Sequence, residues 1–342
     1  MLDGRLNAWW WRRIDELLPL VEGKTPVLVI DEETINDTFF DLLCLEPVQK
    51  VLYTPSFSPH PLLTEKAIQM GMGIKCFRPQ EINTIEGNHA QLKPCHFLLV
   101  AEDAASHERL VFRERNLKIA LPPGRVSEAL ELGINPEDIL LICHSPAQLP
   151  QMDWGHPLGG LYLCCQTGRF AHALSKAGAH GKAPLLVLSG SRSVCVDPET
   201  GTLDISSTHS SLEKTAQALP NHTLWLDPEG AVLTKAIALF VTAREIKHKG
   251  TNTYAMVDLD RPCVPYLTSP ESLRLVFNLT RPQEAARITP QAAVSDSIPC
   301  PHETRPGDLL VITNTWEMAL SNTPCKVRLH YLKARRICQV RL

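Results

Sequence analysis

Short apolar segments recur through the first part of the chain and predict a parallel β-sheet. Eight of them are apolar at successive positions, which is typical of strands buried on both faces, and segments of crossover length separate them. They are Val51–Pro55, Gly73–Phe77, Phe97–Ala101, Lys118–Pro122, Ile139–Cys143, Leu161–Cys165, Leu185–Ser189 and Leu224–Pro228. Eight strand-and-helix units indicate a (β/α)₈ barrel. Because the span is about 180 residues, below the ~200 of most such barrels, we expect several short or missing helices.

The segments on either side of the barrel have different patterns. Before it, helical spacing of apolar residues predicts a helix over Leu6–Val21, followed by a strand over Lys24–Ile30. After about Thr234, apolar and polar residues alternate between Pro and Gly breaks, which predicts an antiparallel β domain. The predicted organisation is an N-terminal helix and strand (1–45), a barrel (46–235) and a C-terminal β domain (236–342).

Composition and charge exclude several classes of protein. Hydrophobic residues make up 44% and charged residues 21% of the chain, and the net charge of −3 provides no basic field for nucleic acid. No apolar run reaches the ~18 residues that span a bilayer. The 11 cysteines include no C-x-x-C pair and the histidines no metal-binding spacing, so we expect neither a disulfide framework nor a metal site. A cytoplasmic protein fits these features.

Three segments resemble one known family. They are VQKVLYTPSFSPHPLLTEKAIQMGMGIKCFRPQEI (48–82), LWLDPEGAVLTKAIALFVTAREIK (224–247) and RPGDLLVITNTWEMAL (305–320). They are similar to the fold type III pyridoxal-phosphate (PLP) decarboxylases, nearest to diaminopimelate decarboxylases and to the decarboxylase half of bifunctional aspartate kinase/diaminopimelate decarboxylases. The resemblance implies a shortened TIM-like barrel of the alanine racemase type followed by a β domain that the strand at Lys24–Ile30 joins.

The resemblance also implies which residue should bind the cofactor covalently. The family has Y-A-x-K-A-N on its first barrel strand, and here Ser56 stands at the lysine position. Serine cannot form a Schiff base. Lys50 is six residues earlier on the same strand, about 20 Å away at ~3.3 Å per residue, and so at the other end of the barrel. Lys75, inside the second strand, is the remaining candidate, and nothing in the sequence supports it.

The positions that would hold the rest of PLP are partly kept. Ser189, Gly190 and Ser191, followed by Arg192, correspond to the phosphate loop, although small residues also favour an ordinary turn. The family's E-P-G-R reads Asp227-Pro228-Glu229-Gly230, which keeps an acid for the pyridine nitrogen at Asp227. Gly230 replaces the arginine, and Glu229 adds a charge that would repel a phosphate.

The substrate positions implied by the resemblance are replaced. The C-E-S-x-D segment reads Ala293–Ser297, and the G-A-Y segment reads Trp316–Met318. A ring-stacking histidine is also missing from the strand around Tyr162.

Together these replacements favour a decarboxylase-like protein that has lost catalysis and binds PLP weakly or not at all. Such a protein would act by association, as a homodimer or with a homologous decarboxylase or aspartate kinase. One alternative is a divergent, active PLP-dependent diaminopimelate decarboxylase of lysine biosynthesis with rearranged cofactor contacts. Another is a decaying gene product whose fold survives without function.

Overall fold

The fold is known from a computed structural model, which describes most but not all of the chain. The described residues are 8–57, 60–88, 97–101, 117–145, 147–148, 157–164, 184–190, 193–260, 263, 267, 274–281, 285–288, 297–315, 327–333 and 336–340.

The N-terminal segment forms two helices where the apolar pattern predicted one. Helix α1 (Trp9–Arg12) and helix α2 (Ile14–Val21) are separated at Arg13, whose φ of −110° and ψ of 19° leave the helical region. The break places the Arg13 guanidinium 2.6 Å from the carboxylate of Asp31. A tertiary ion pair therefore accompanies the interruption of a locally favoured helix.

Strand β1 (Val27–Asp31) and helix α3 (Glu32–Leu43) complete this segment. The Asp31 carboxylate caps α3 by accepting a hydrogen bond from the Thr34 backbone N–H at 2.9 Å. The sequence reasoning did not predict this helix.

Eight parallel strands then close into a barrel, and they fall on the eight predicted apolar segments. They are β2 (Lys50–Tyr53), β3 (Gly73–Cys76), β4 (Phe97–Val100), β5 (Lys118–Leu121), β6 (Ile139–Cys143), β7 (Gly160–Leu163), β8 (Leu185–Ser189) and β9 (Thr223–Asp227). The TIM-like barrel is thereby confirmed.

The helices described around the barrel are short. They are α4 (Pro61–Gln69), α5 (Pro79–Asn88), α6 (Val126–Glu131) and α7 (Ile205–Ala218). Helix α7 is capped by Asp204, whose carboxylate accepts from the Ser207 N–H at 3.0 Å.

The barrel strands are buried on both faces, as their apolar sequences require. Alternate residues such as Leu98, Leu140 and Val187 form a cluster inside the barrel. Their neighbours, such as Leu99 and Leu141, belong to the larger core that the helices cover. Side-chain alternation along each strand therefore decides which residues face the barrel axis.

The remaining strands form a second sheet. They are β10 (Ile237–Lys249), β11 (Asn252–Val257), β12 (Arg274–Asn278), β13 (Ala286–Ile288), β14 (Ile298–Cys300), β15 (Leu309–Thr313), β16 (Arg328–Lys333) and β17 (Arg336–Val340). The order is β13-β12-β15-β10-β1-β16-β17, with β11 pairing β10 and β14.

Strand β1 lies inside this C-terminal sheet, which is the pairing expected for Lys24–Ile30. It is antiparallel to β10, with Val27 opposite Phe240, and parallel to β16, with Val27 opposite Arg328. The pairing of β1 with β16 is parallel and the other pairings described in this sheet are antiparallel, so the β domain predicted after the barrel is confirmed.

Most of the described cysteine side chains are free thiols, as expected. They are Cys44, Cys76, Cys143, Cys164, Cys195 and Cys300. Cys263, in contrast, is disulfide-bonded, which the sequence reasoning did not foresee. In the part of the chain that can be described, no helix has the length and apolar character needed to cross a membrane.

Because Gly160 has no side chain, β7 and β8 can lie close together at this position, and this close approach gives a first prediction. A β-carbon there would lie 2.0 Å from the carbonyl oxygen of Leu185, a backbone atom that cannot move aside without displacing β8. We expect Gly160→Ala to lower the free energy of unfolding by about 3 kcal/mol in a denaturant titration. Gly124→Ala is the control, since a β-carbon there meets no atom within 4 Å. Equal stability of the two variants would contradict this account of the barrel wall.

Candidate functional site

The carboxyl ends of the barrel strands bring two of the predicted site residues together. Ser189 ends β8, Asp227 ends β9, and the strand register places them side by side. The Ser189 hydroxyl donates to Asp227 Oδ2 at 2.6 Å. Both side chains are buried, Asp227 completely.

A lysine lies at the centre of this end of the barrel. The Nζ atom of Lys75, on β3, is 2.6 Å from Asp227 Oδ2 and 3.0 Å from Glu229 Oε1. It also donates to the Tyr162 hydroxyl at 3.0 Å. The Lys75 and Asp227 side chains have no exposed surface, whereas the Glu229 side chain is 27% exposed. The three N–H groups of the ammonium thus meet three oxygen atoms, which is how a buried lysine can remain charged.

The environment keeps this lysine protonated. Burial by itself lowers the pKa of Lys75, but the adjacent carboxylates of Asp227 and Glu229 outweigh it, and the pKa is raised. Burial also raises the pKa of the Glu229 carboxyl, with Lys75 opposing that effect. Since only an unprotonated amine is nucleophilic, Lys75 is held in its unreactive form.

Two further hydroxyls complete the shell around Asp227. Tyr162, on β7, donates to Asp227 Oδ2 at 2.9 Å, and Thr54, just after β2, donates to Oδ1 at 3.2 Å. Burial, followed by the charge of Asp227, raises the pKa of Tyr162 well above its usual range. The phenol therefore stays protonated and serves as a hydrogen-bond donor. We call Thr54, Lys75, Tyr162, Ser189, Asp227 and Glu229 the barrel network.

The turn after β8 is tied to the strand beside it. Gly190 has a φ of +91°, which favours glycine, and its N–H donates to the Asp227 carbonyl at 3.1 Å. The Ser193 N–H then donates to the Gly190 carbonyl at 2.9 Å. The Gly190 N–H, which the resemblance assigned to a phosphate, is therefore used inside the protein.

The other predicted cofactor residues are distributed as follows. Ser56 lies in a single helical turn, Pro55–Phe57, directly after β2. Gly230 is buried in the turn Glu229–Leu233 that follows β9. Ser191 lies outside the described residues, as do Arg192, most of the segment 293–297 and all of 316–318.

PLP does not fit the residues present. Asp227, at the position expected to pair with the pyridine nitrogen, already accepts from an ammonium and three hydroxyls. Ser56 has no amine, and the Glu229 carboxylate lies beside the turn that should hold a phosphate, with its Oε2 3.7 Å from where a Gly190 β-carbon would be. The barrel network therefore replaces the contacts that the cofactor would need.

Lys75 is a site residue that alternation along its strand can reveal. Lys75 alternates with Ile74 and Cys76, which belong to the outer core, so its side chain must face the barrel axis. A charged residue on that face needs partners of opposite charge. Lys50, by contrast, lies over the ring of Trp225, 4.2 Å from its centre.

A metal ion is not indicated in the part of the chain that is described. No three His, Cys, Asp or Glu side chains there are grouped so that they could hold one.

The arrangement of barrel, sheet and N-terminal strand is the fold of PLP-dependent decarboxylases. Diaminopimelate decarboxylase from Helicobacter pylori, complexed with L-lysine, matches with a TM-score of 0.66 over 96% of each chain at 15% identity. Arginine decarboxylase from Paramecium bursaria Chlorella virus, bound to agmatine, matches with a TM-score of 0.68 over 94% of this chain and 100% of its own at 10% identity.

A third neighbour, SrLDC in complex with PLP and cadaverine, has a TM-score of 0.64 at 14% identity and covers 91% of this chain and 89% of its own. Neither a protein-family model nor a curated protein matches the sequence. At identities this low the comparisons establish the fold alone, and they agree with the family that the three sequence segments resemble.

The barrel network gives a second prediction. Replacing Lys75 by Met leaves the buried carboxylate of Asp227 and the partly buried carboxylate of Glu229 without a cation, so we expect Lys75→Met to lower the free energy of unfolding by about 3–5 kcal/mol at neutral pH. Lys75 lowers the pKa of Glu229, and its loss raises that pKa further. A carboxyl with a raised pKa in the folded state binds its proton preferentially there, so the deficit should shrink as the pH falls from neutral towards the ordinary pKa of a glutamate.

The control for this variant is Lys118→Met. Lys118 lies 2.8 Å from Asp138, but both side chains are partly exposed, so we expect a loss of no more than about 1 kcal/mol. A Lys75→Met protein as stable as this control would show that the barrel network does not stabilise the fold.

Proposed function

We propose that this chain is a non-catalytic protein of the decarboxylase fold that acts by associating with another protein chain. The observation that carries the proposal is the position of Lys75, a fully buried ammonium ion-paired with Asp227 and Glu229. In the described part of the barrel mouth, the groups that PLP chemistry would need are thereby bound to one another.

The energetics oppose a return to cofactor chemistry. For Lys75 to react as an amine, it would have to lose a proton and leave its two carboxylates without a cation. Leaving buried carboxylates without their cation costs about 3–5 kcal/mol. The binding free energy of a cofactor would have to exceed that cost.

The first experiment looks for a covalent PLP adduct. Purified protein titrated with PLP should give no absorbance band of a lysine adduct, and borohydride reduction followed by peptide mass spectrometry should label no single lysine. The purified protein should also release no carbon dioxide from diaminopimelate. An active diaminopimelate decarboxylase treated in parallel is the positive control.

The structure also motivates a second candidate function, a divergent active decarboxylase. Lys75 is a lysine whose Nζ lies beside Asp227, the acid expected to face the pyridine nitrogen. This candidate would be favoured, and the non-catalytic one rejected, if PLP and borohydride label Lys75 specifically and the protein releases carbon dioxide. Both the labelling and the release should then be lost in Lys75→Arg.

Association is the positive part of the proposal. The partner is a second copy of the chain, a homologous active decarboxylase or an aspartate kinase. The resemblance to bifunctional proteins that join a kinase and a decarboxylase supports the last two. On α3, the Phe40 side chain is 62% exposed, so a substitution there can probe association with little effect on the core.

A second experiment tests association directly. We expect sedimentation velocity to show a complex larger than the monomer, alone or with diaminopimelate decarboxylase or aspartate kinase. Phe40→Ser should weaken that complex about tenfold, whereas Glu33→Ser, an exposed change on the same helix, should not. A chain that stays monomeric with all three partners would overturn the association proposal and leave the catalytic question to the labelling experiment.

A further inference from the structure

A cavity of about 360 Å³ lies between the N-terminal helices and the second sheet. No residue of the barrel network lines it. Its volume falls within the ~300–1,000 Å³ typical of small-molecule sites.

One part of the cavity wall is aromatic and rigid. Trp9 and Trp10 are almost fully buried, and the Trp10 ring lies against Phe277 with 5.1 Å between ring centres. Ile237 and Leu275, from β10 and β12, extend this apolar wall. Such a surface fits the apolar body of a ligand.

Another part of the wall is cationic. Arg12 and Lys235 both line the cavity, and neither lies within ion-pair distance of a carboxylate in the described residues. Asp204 feels the charge of Lys235, which contributes to the lowered pKa of that carboxyl, but Asp204 itself is hydrogen-bonded to Ser207. The two cations therefore offer unneutralised positive charge beside an apolar wall.

The rim of the cavity is held in place by hydrogen bonds. The turn that carries Thr200 and Thr202 is closed by the Asp197 carboxylate, which accepts from the Thr200 N–H at 3.0 Å. The Asn314 amide donates to the Gly201 carbonyl at 2.8 Å and fixes this turn to the end of β15. The cavity is therefore formed before any ligand binds.

We propose that this cavity binds a small amphipathic carboxylate, such as an arylalkanoic acid. Its carboxylate would neutralise Arg12 and Lys235, and its apolar body would pack on Trp10 and Phe277. This site is independent of the barrel network and of the proposed association.

The test compares an acid with its uncharged amide. We expect 3-phenylpropanoate to bind the full-length protein with a Kd at least tenfold below that of 3-phenylpropanamide, measured by calorimetry and by quenching of tryptophan fluorescence. Because a ligand that binds only the folded state stabilises it, the acid should also raise the unfolding temperature more than the amide.

Variants assign the effect to the cavity. Arg12→Gln and Lys235→Gln should each weaken binding of the acid at least threefold and leave the amide unchanged. Lys214→Gln, an exposed change on α7, is the control. Equal affinity for acid and amide, no measurable binding of the acid, or equal binding by Arg12→Gln and Lys214→Gln would overturn the proposal.

Discussion

The structure of the barrel depends on one constraint, a lysine ammonium with no access to water. Lys75 remains charged only if oxygen atoms surround it, and these come from different parts of the barrel. Asp227 ends β9, Glu229 follows it, and Tyr162 projects from β7. The ammonium therefore links β3 with strands elsewhere around the closed barrel. A cofactor could enter here only by breaking these contacts.

The fold matches that of its structural neighbours, whereas residues at several positions expected from the resemblance differ. The barrel and second sheet match decarboxylases along nearly the whole chain, yet Ser56 stands at the expected lysine position and the Gly190 N–H is bonded to a backbone carbonyl. A fold can persist while its site changes, because packing and backbone pairing do not depend on the catalytic side chains.

The N-terminal segment has a second structural role. Strand β1 lies between β10 and β16. The helix before it, α2, packs on the second sheet, and the helix after it, α3, packs in the core that includes barrel residues. Trp9 and Trp10 pack on the sheet, and the cavity beside them arises from that docking. The two sites thus have different origins, one inside the barrel and one where separate elements meet.

The sequence by itself determined the eight barrel strands and the presence of a second β domain after them, because burial on one or both faces leaves a local pattern of apolar residues. It also identified Asp227 and Ser189 as residues that end adjacent strands. The break at Arg13 and the role of Lys75 were decided only by tertiary structure. Arg13 meets Asp31 after the chain turns back, and Lys75 meets Tyr162, 87 residues further along, only when the barrel closes. Alternation along a strand is a local property, whereas the partners of a buried charge depend on which distant strands become neighbours.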